Sequence, residues 1–305
     1  MKEINRIILF GDSFIQGTGC YHRLEEDGRM VYHLYDDNLN FELKSYQNKV
    51  GWGDNLKKYF PNVEVINYGV DGFSNYQSFE QMNHYFKKDH KKTDLILFGF
   101  TSKFRDFSFS QNFVWNTYPG ILNEDNPIYA NPLAWEKTDY HLNRNYFAQK
   151  SYNFDTDVSD EEKEVTKDFI LDYTTYLHDD IHLEYISKVN YMFIQHWVKT
   201  YKLNFHCFDL FENYVVGHIN NFKIDTDIYF DYDNHRNKSI FSYLKEYEAN
   251  NLQETKKPFV ESYFEANQSL LDDGIRPTNV IHPNQIGYGI YIDYLCKNLL
   301  LKKYK

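Results

Sequence analysis

Ser13 stands directly after the turn Gly11-Asp12, which closes the apolar run Ile7-Ile8-Leu9-Phe10. An alcohol there sits at the carboxyl end of a strand, where open α/β sheets place their ligands. It also lies beside a helix start, whose backbone N–H groups can face a developing negative charge. A serine in such a turn is equally an ordinary N-capping residue. The second chemical group is His282, in His282-Pro283-Asn284, which opens the last apolar-patterned helix, from about Asn284 to Leu301. An imidazole set against a serine hydroxyl takes its proton and later returns it, which is the chemistry of nucleophilic acyl transfer. The two residues are far apart in sequence, so this chemistry needs a fold that joins the two regions.

The elements that must join them are legible in the pattern. Arg6–Phe10 reads as a strand buried on both faces of a parallel sheet. A short amphipathic helix is expected between Lys49 and Tyr59, with Pro61 punctuating its end. Val63–Tyr68 reads as a second strand, followed by the glycine turn Gly69-Val70-Asp71-Gly72. A helix over roughly Tyr76 to Lys88, capped by Ser74 or Asn75, precedes the third apolar strand, Asp94–Phe100. Strand alternating with helix favours a parallel sheet with right-handed crossovers.

From about Lys103 to Val158 no period is sustained, and the segment reads as a long elaborated connection whose aromatics give it something to pack. Helices over about Asp160–Leu177, with acidic residues in the first turn, and Ile181–Tyr201 follow. Leu203–Asp209 then reads as a fourth strand, and Asn213 to Pro258 as irregular.

These blocks, in this order, resemble the SGNH hydrolase superfamily, also called GDSL-type esterases and lipases. Gly11-Asp12-Ser13 matches the first block, with Phe14 where leucine is usual, and Asn67-Tyr68-Gly69-Val70-Asp71-Gly72 resembles the second. Phe98-Gly99-Phe100-Thr101 occupies the place of the third, and His282-Pro283-Asn284 resembles the last. The match covers residues 1–102 and about 272–301. It implies a three-layer α/β/α sandwich with a central parallel sheet, flavodoxin-like. The chain is then one domain over 1–305, with a core of about 1–102, 179–210 and 272–305 and insertions of about 103–178 and 211–271. It also implies Ser13 as nucleophile, His282 as base, and the N–H groups of Ser13 and Gly72 as oxyanion donors.

Two positions depart from the family pattern. The third block's asparagine, whose amide completes the oxyanion hole, is replaced by Thr101, a shorter donor. Loss of one such donor costs about 10²–10³ in turnover in a well-studied protease. Arg105 is a candidate substitute, or it pairs with Asp106. The aspartate expected three residues before the histidine is replaced by Asn279, which can orient the ring but not stabilise its cation by charge. In serine proteases that replacement costs about 10⁴. Asp272 or Asp273 can fold back to supply a carboxylate, or Ser13 and His282 act as a dyad oriented by Asn279 or a backbone carbonyl.

Composition bounds the alternatives. The 33 Lys and Arg against 44 Asp and Glu give a net charge of −11, which argues against a general phosphate-backbone binder. Hydrophobic residues make up 42%, with 28 Tyr and 25 Phe, ample for a core. No apolar run approaches the ~20 residues needed to cross a bilayer. The start, running straight into Gly11-Asp12-Ser13, reads as a first strand and not a signal peptide, so a cytoplasmic or non-classically exported protein is expected. Cys20, Cys207 and Cys296 are odd in number and far apart, giving neither a disulfide framework nor paired metal-ligand spacing.

The i, i+4 pair His178 and His182 has no identifiable third ligand. The acidic run Asp225, Asp227, Asp231, Asp233 and His235 lacks the glycine and terminal glutamate of a calcium loop. Gly11-Asp12-Ser13 also lacks the spacing of a dinucleotide-binding glycine loop. No metal or organic cofactor is expected. The expected activity is a serine esterase or deacylase acting on a small-molecule or carbohydrate ester, O-acetyl groups among them. The alternative is a catalytically impaired SGNH-like binding or structural module of a larger assembly.

Overall fold

The structure is a computed structural model. It describes residues 2–20, 22–24, 30–32, 45–70, 75–101, 180–210, 224–230, 232–233, 236–237, 239–251, 263 and 282–304, with the backbone alone for 22–24, 30–32, 180–183, 232–233 and 236–237. Two strands form its centre, β1 (Arg6–Phe10) and a later strand over Asp94–Phe100, and every residue of both is buried. In chain order the strands are β1, β2 (His22–Leu24), β3 (Met30–Tyr32), β4 (Glu64–Asn67), β5 (Asp94–Phe100), β6 (Asn204–Asp209), β7 (Tyr232–Asp233) and β8 (Arg236–Asn237). The helices are α1 (Ser13–Gln16), α2 (Asp54–Lys57), α3 (Asn75–Lys88), α4 (Asp180–Tyr201), α5 (Ile240–Asn251), α6 (Gln285–Leu295) and α7 (Leu301–Lys303).

The main sheet has the order β4-β1-β5-β6, and each neighbouring pair is parallel. Its register sets Leu9 beside Asn67 and Leu97, and Phe100 beside Asp209. The protein is therefore α/β, with a parallel four-stranded sheet and helices. Side chains alternate across the sheet, which divides the apolar runs between two cores. Ile7, Leu9, Leu95 and Leu97 meet Trp52, Leu56, Tyr288, Tyr291 and Leu295 on one face. Ile8, Phe10, Ile96 and Phe98 meet Met82 and Tyr85 of α3 and Tyr191, Ile194 and Val198 of α4 on the other. Full burial of each such side chain is worth about 1.5–3 kcal/mol. That is why continuous apolar runs, and not alternating ones, occupy the two central strands.

The four expected strands are present with ends within two residues of the reading. The helix expected between Lys49 and Tyr59 is a π-helical turn, Lys49–Gly53, running into α2. The Asn55 amide donates to the carbonyls of Val50 and Gly51, at 3.1 and 2.8 Å, and so satisfies two groups that the wider turn displaces. One expectation needs correcting. Asn213 to Pro258 is not irregular throughout: α5 lies within it, with Ile240 and Leu244 buried in the first core. Ser239 accepts the N–H of Ser242 at 3.0 Å, as an N-cap does. Only two of the helix's twelve residues are fully buried, and its remaining inward positions are aromatic, so no aliphatic stripe announces it.

The same interval also completes the sheet. Cys207 N–H donates to Ile228 and Phe230 N–H donates to Cys207, at 2.9 and 2.8 Å, adding a short rung beside β6. The two-stranded antiparallel pairs β2–β3 and β7–β8 were not part of the sequence reading.

The helix expected over Asp160–Leu177 lies outside the described residues, as does the whole of the 103–178 insertion. His178, Asp231 and His235 also lie outside them. Asp225 and Asp227 instead pair with lysines, Asp225 with Lys199 at 2.7 Å and Asp227 with Lys303 at 3.1 Å. The three cysteines are buried and form no disulfide. Among the described residues no helix is long and apolar enough to cross a membrane, and no group of three or more metal-capable side chains occurs.

Candidate active site

The chain leaves β1 through Gly11, whose φ of +151° carries it into the first turn. A Cβ at Gly11 would lie 2.5 Å from Ile15 Cγ1 and 2.9 Å from the Gly99 carbonyl, so only glycine fits. Asp12 then caps α1: its Oδ1 accepts the Phe14 N–H at 2.9 Å, and its carbonyl accepts those of Ile15 and Gln16. None of these bonds uses the N–H of Ser13. The Asn67 amide braces the turn from β4, donating to Ile15 O at 2.6 Å and accepting Gly69 N–H at 2.8 Å.

His282 meets this turn from the other end of the chain. Its Nε2 lies 2.8 Å from Ser13 Oγ, across 269 residues of sequence. For Nε2 to accept the serine proton, the ring proton must reside on Nδ1. Asn284 fixes the approach by capping α6, accepting Gly287 N–H at 3.0 Å and donating its own N–H to Tyr263 O at 3.0 Å. A cap of this kind is worth about 1 kcal/mol. The Phe14 ring packs against the imidazole with centroids 5.2 Å apart. Phe14 is itself held by Trp52, whose indole N–H donates to its carbonyl at 2.9 Å.

Gly19 lies against His282 from another side. A Cβ there would sit 2.4 Å from Pro283 O and 2.8 Å from His282 Cβ, and φ is +106°. Gly19→Ala must therefore push the His282-Pro283 segment away from Ser13. For the ester hydrolysis expected from the sequence, the loss should be about 10²-fold, the scale set by a displacement near 1 Å. Retained stability, measured by urea denaturation, would separate this loss from unfolding. Activity equal to that of the parent would show that Gly19 does not position the base.

Thr101 is at the end of β5 and within this cluster, but its hydroxyl donates to Asp12 Oδ2. A hydroxyl has one proton, so in this arrangement the Thr101 hydroxyl serves Asp12. Asn75, read as a candidate helix cap, instead clasps the Thr101 backbone: Thr101 N–H donates to its Oδ1 at 2.9 Å and its Nδ2 donates to Thr101 O at 3.1 Å. Asp12, Ser13 and Thr101 are each 1% exposed and Asn75 is fully buried. Buried amides and carboxylates need such partners, which makes this network rigid.

The structure thus brings Ser13, His282 and Thr101 to one place. Gly72, Arg105, Asp272, Asp273 and Asn279 lie outside the described residues. Sequence reasoning missed Gly19, Trp52 and the clasping role of Asn75. The Gly17-Thr18-Gly19 run was the available signal for the first of these. Nothing local marks the other two, because their partners belong to other elements.

No family model matches the chain, and neither does any curated protein. Fold and site together define an α/β protein whose parallel sheet carries a hydrogen-bonded serine and histidine at the carboxyl end of its first strand.

Proposed function

We propose that the chain is a serine esterase or deacylase, a divergent SGNH-type hydrolase that cleaves carboxylic esters through an acyl-enzyme on Ser13. The 2.8 Å contact between Ser13 Oγ and His282 Nε2 carries the reading. Ser13 attacks the ester carbonyl while His282 takes its proton, and His282 then returns that proton to the leaving alcohol. Water, deprotonated by the same ring, releases the acid. The Ser13 N–H, left out of the Asp12 cap, is one oxyanion donor, and Gly72 N–H is the second.

Asn279, or one of Asp272 and Asp273, orients the imidazole. The sheet order agrees with a flavodoxin-like three-layer sandwich, in which the second strand lies outside the first and the third and fourth follow on its other side. O-acetyl groups on carbohydrate are the favoured substrates, since the aromatic-rich 103–178 interval offers rings of the kind that pack on sugar faces.

A second reading, a catalytically impaired binding or structural module, is favoured by the engagement of the Thr101 hydroxyl with Asp12 and by the 1% exposure of Ser13. A fluorophosphonate probe separates the two. The hydrolase forms a covalent adduct on Ser13, seen by mass spectrometry and missing in Ser13→Ala. An unlabelled Ser13 in folded protein would overturn the hydrolase reading in favour of the module.

A further inference from the structure

A cavity of about 660 Å³ lies at the opposite end of the main sheet from Ser13. Its walls come from the segment before β1, the end of α4, the start of β6 and the segment around α7. The volume falls in the range of about 300–1,000 Å³ typical of small-molecule sites. Val198, Leu203, Phe205 and Ile228 give it apolar surface.

Its polar lining is basic, against the acidic balance of the chain as a whole. Four lysines, Lys2, Lys199, Lys302 and Lys303, face two carboxylates, Asp225 and Asp227. Lys199 is matched by Asp225 and Lys303 by Asp227. Among the described residues, Lys2 reaches the neutral amide of Asn204, at 3.1 Å, and no carboxylate. Lys302 makes no ion pair among the described residues. These two cations therefore remain without a carboxylate among the described residues.

His206, 2% exposed, also lines the cavity. Its Nε2 is 2.9 Å from the Tyr304 hydroxyl. Its Nδ1 is buried without a hydrogen bond among the described residues, and the nearby Asp227 backbone favours a protonated ring. Burial, reinforced by Lys303 and Lys2, lowers the His206 pKa to about 3, so the ring is neutral at neutral pH. Burial likewise raises the Tyr304 phenol, which stays protonated and able to donate to Nε2. When the phenol donates to Nε2, the ring proton resides on Nδ1, a buried donor in want of an acceptor.

We propose that this cavity binds a small organic oxyanion, a phosphate or carboxylate head on an apolar body, through Lys2, Lys302 and the Nδ1–H of His206. The apolar walls take the body and the head supplies the acceptor that His206 lacks.

The test is calorimetric titration of the whole chain with phenyl phosphate, benzoate and phenol. The His206 ring nitrogens are followed in long-range proton–nitrogen spectra and assigned with His206→Gln. An anion should bind and shift the His206 Nδ1 signal, while phenol binds at least about tenfold more weakly, a factor worth about 1.4 kcal/mol. Tighter phenyl phosphate assigns a phosphate head, and tighter benzoate a carboxylate. The double variant Lys2→Ala/Lys302→Ala, whose side chains are not core, should weaken the anion about tenfold. Ser13→Ala should leave binding unchanged, so failure here is distinct from failure of the hydrolase reading. The proposal is overturned if neither anion binds, if phenol binds as tightly, if the lysine variant binds equally well, or if Ser13→Ala abolishes binding.

Discussion

His282→Ala is expected to lower kcat for p-nitrophenyl acetate by about 10³-fold or more, and adding Ser13→Ala should lower it no further. The reason is that a hydroxyl and its base act as one unit. Without the ring the alcohol keeps its proton, and without the alcohol the ring has nothing to activate. In a well-studied serine protease the loss of either partner costs about 10⁶, close to the loss of the whole constellation. Here the two atoms are 2.8 Å apart, so the same coupling applies. The parent rate should also fall as pH is lowered, because a protonated His282 cannot accept the serine proton, and the single variant should lack that limb. Independent, multiplying losses would show that the contact does no chemistry.

The second large effect concerns stability. Arg6→Met should destabilise the fold by about 3–5 kcal/mol near pH 7, the usual cost of leaving a buried charge without its partner. Arg6 Nε and Nη2 donate to Asp94 Oδ1 and Oδ2 at 2.8 and 2.7 Å, and Nη2 also donates to Asp89 O at 2.7 Å. Asp94, 1% exposed, accepts further bonds from the Tyr85 hydroxyl and the Lys91 N–H. Burial alone would raise its pKa, but the bonds from Arg6, Tyr85 and Lys91 outweigh burial and hold the carboxyl below its usual value.

A depressed native pKa contributes stability that is present above the unfolded value, about 3.9, and is lost as pH falls through the native one. The parent should therefore lose stability below about pH 4. The gap between parent and variant should narrow there, as Asp94 protonates and no longer needs its guanidinium. Urea midpoints measured across that range check both statements. A constant gap would mean that Asp94 charge plays no part.

How much of this was legible depended on whether a signal was local. β1 and β5 announce themselves because burial on both faces demands unbroken apolar runs. The turn at Gly11-Asp12-Ser13 and the His282-Pro283-Asn284 opening of α6 are readable for the same reason, since each marks a switch of element. α5 escaped because its inward positions are mostly tyrosines and a phenylalanine, which break the aliphatic period. The π-turn at Lys49–Gly53 escaped because it depends on the Asn55 amide bonding back to carbonyls four and five residues earlier. The engagement of Thr101 with Asp12 was beyond reach for another reason. It follows from β5 lying next to β1, a tertiary fact that no window along the chain contains.

The separation of 269 residues between the alcohol and its ring also sets when reactivity can arise. A chain emerging during synthesis carries Ser13 before α6, and on the proposed mechanism the alcohol stays unactivated until α6 has been made and has docked. The docking face is Tyr288, Tyr291, Ile292 and Leu295, all fully buried. On the proposed hydrolase mechanism, turnover would thus report completed folding, and a nascent or clipped polypeptide would be chemically silent.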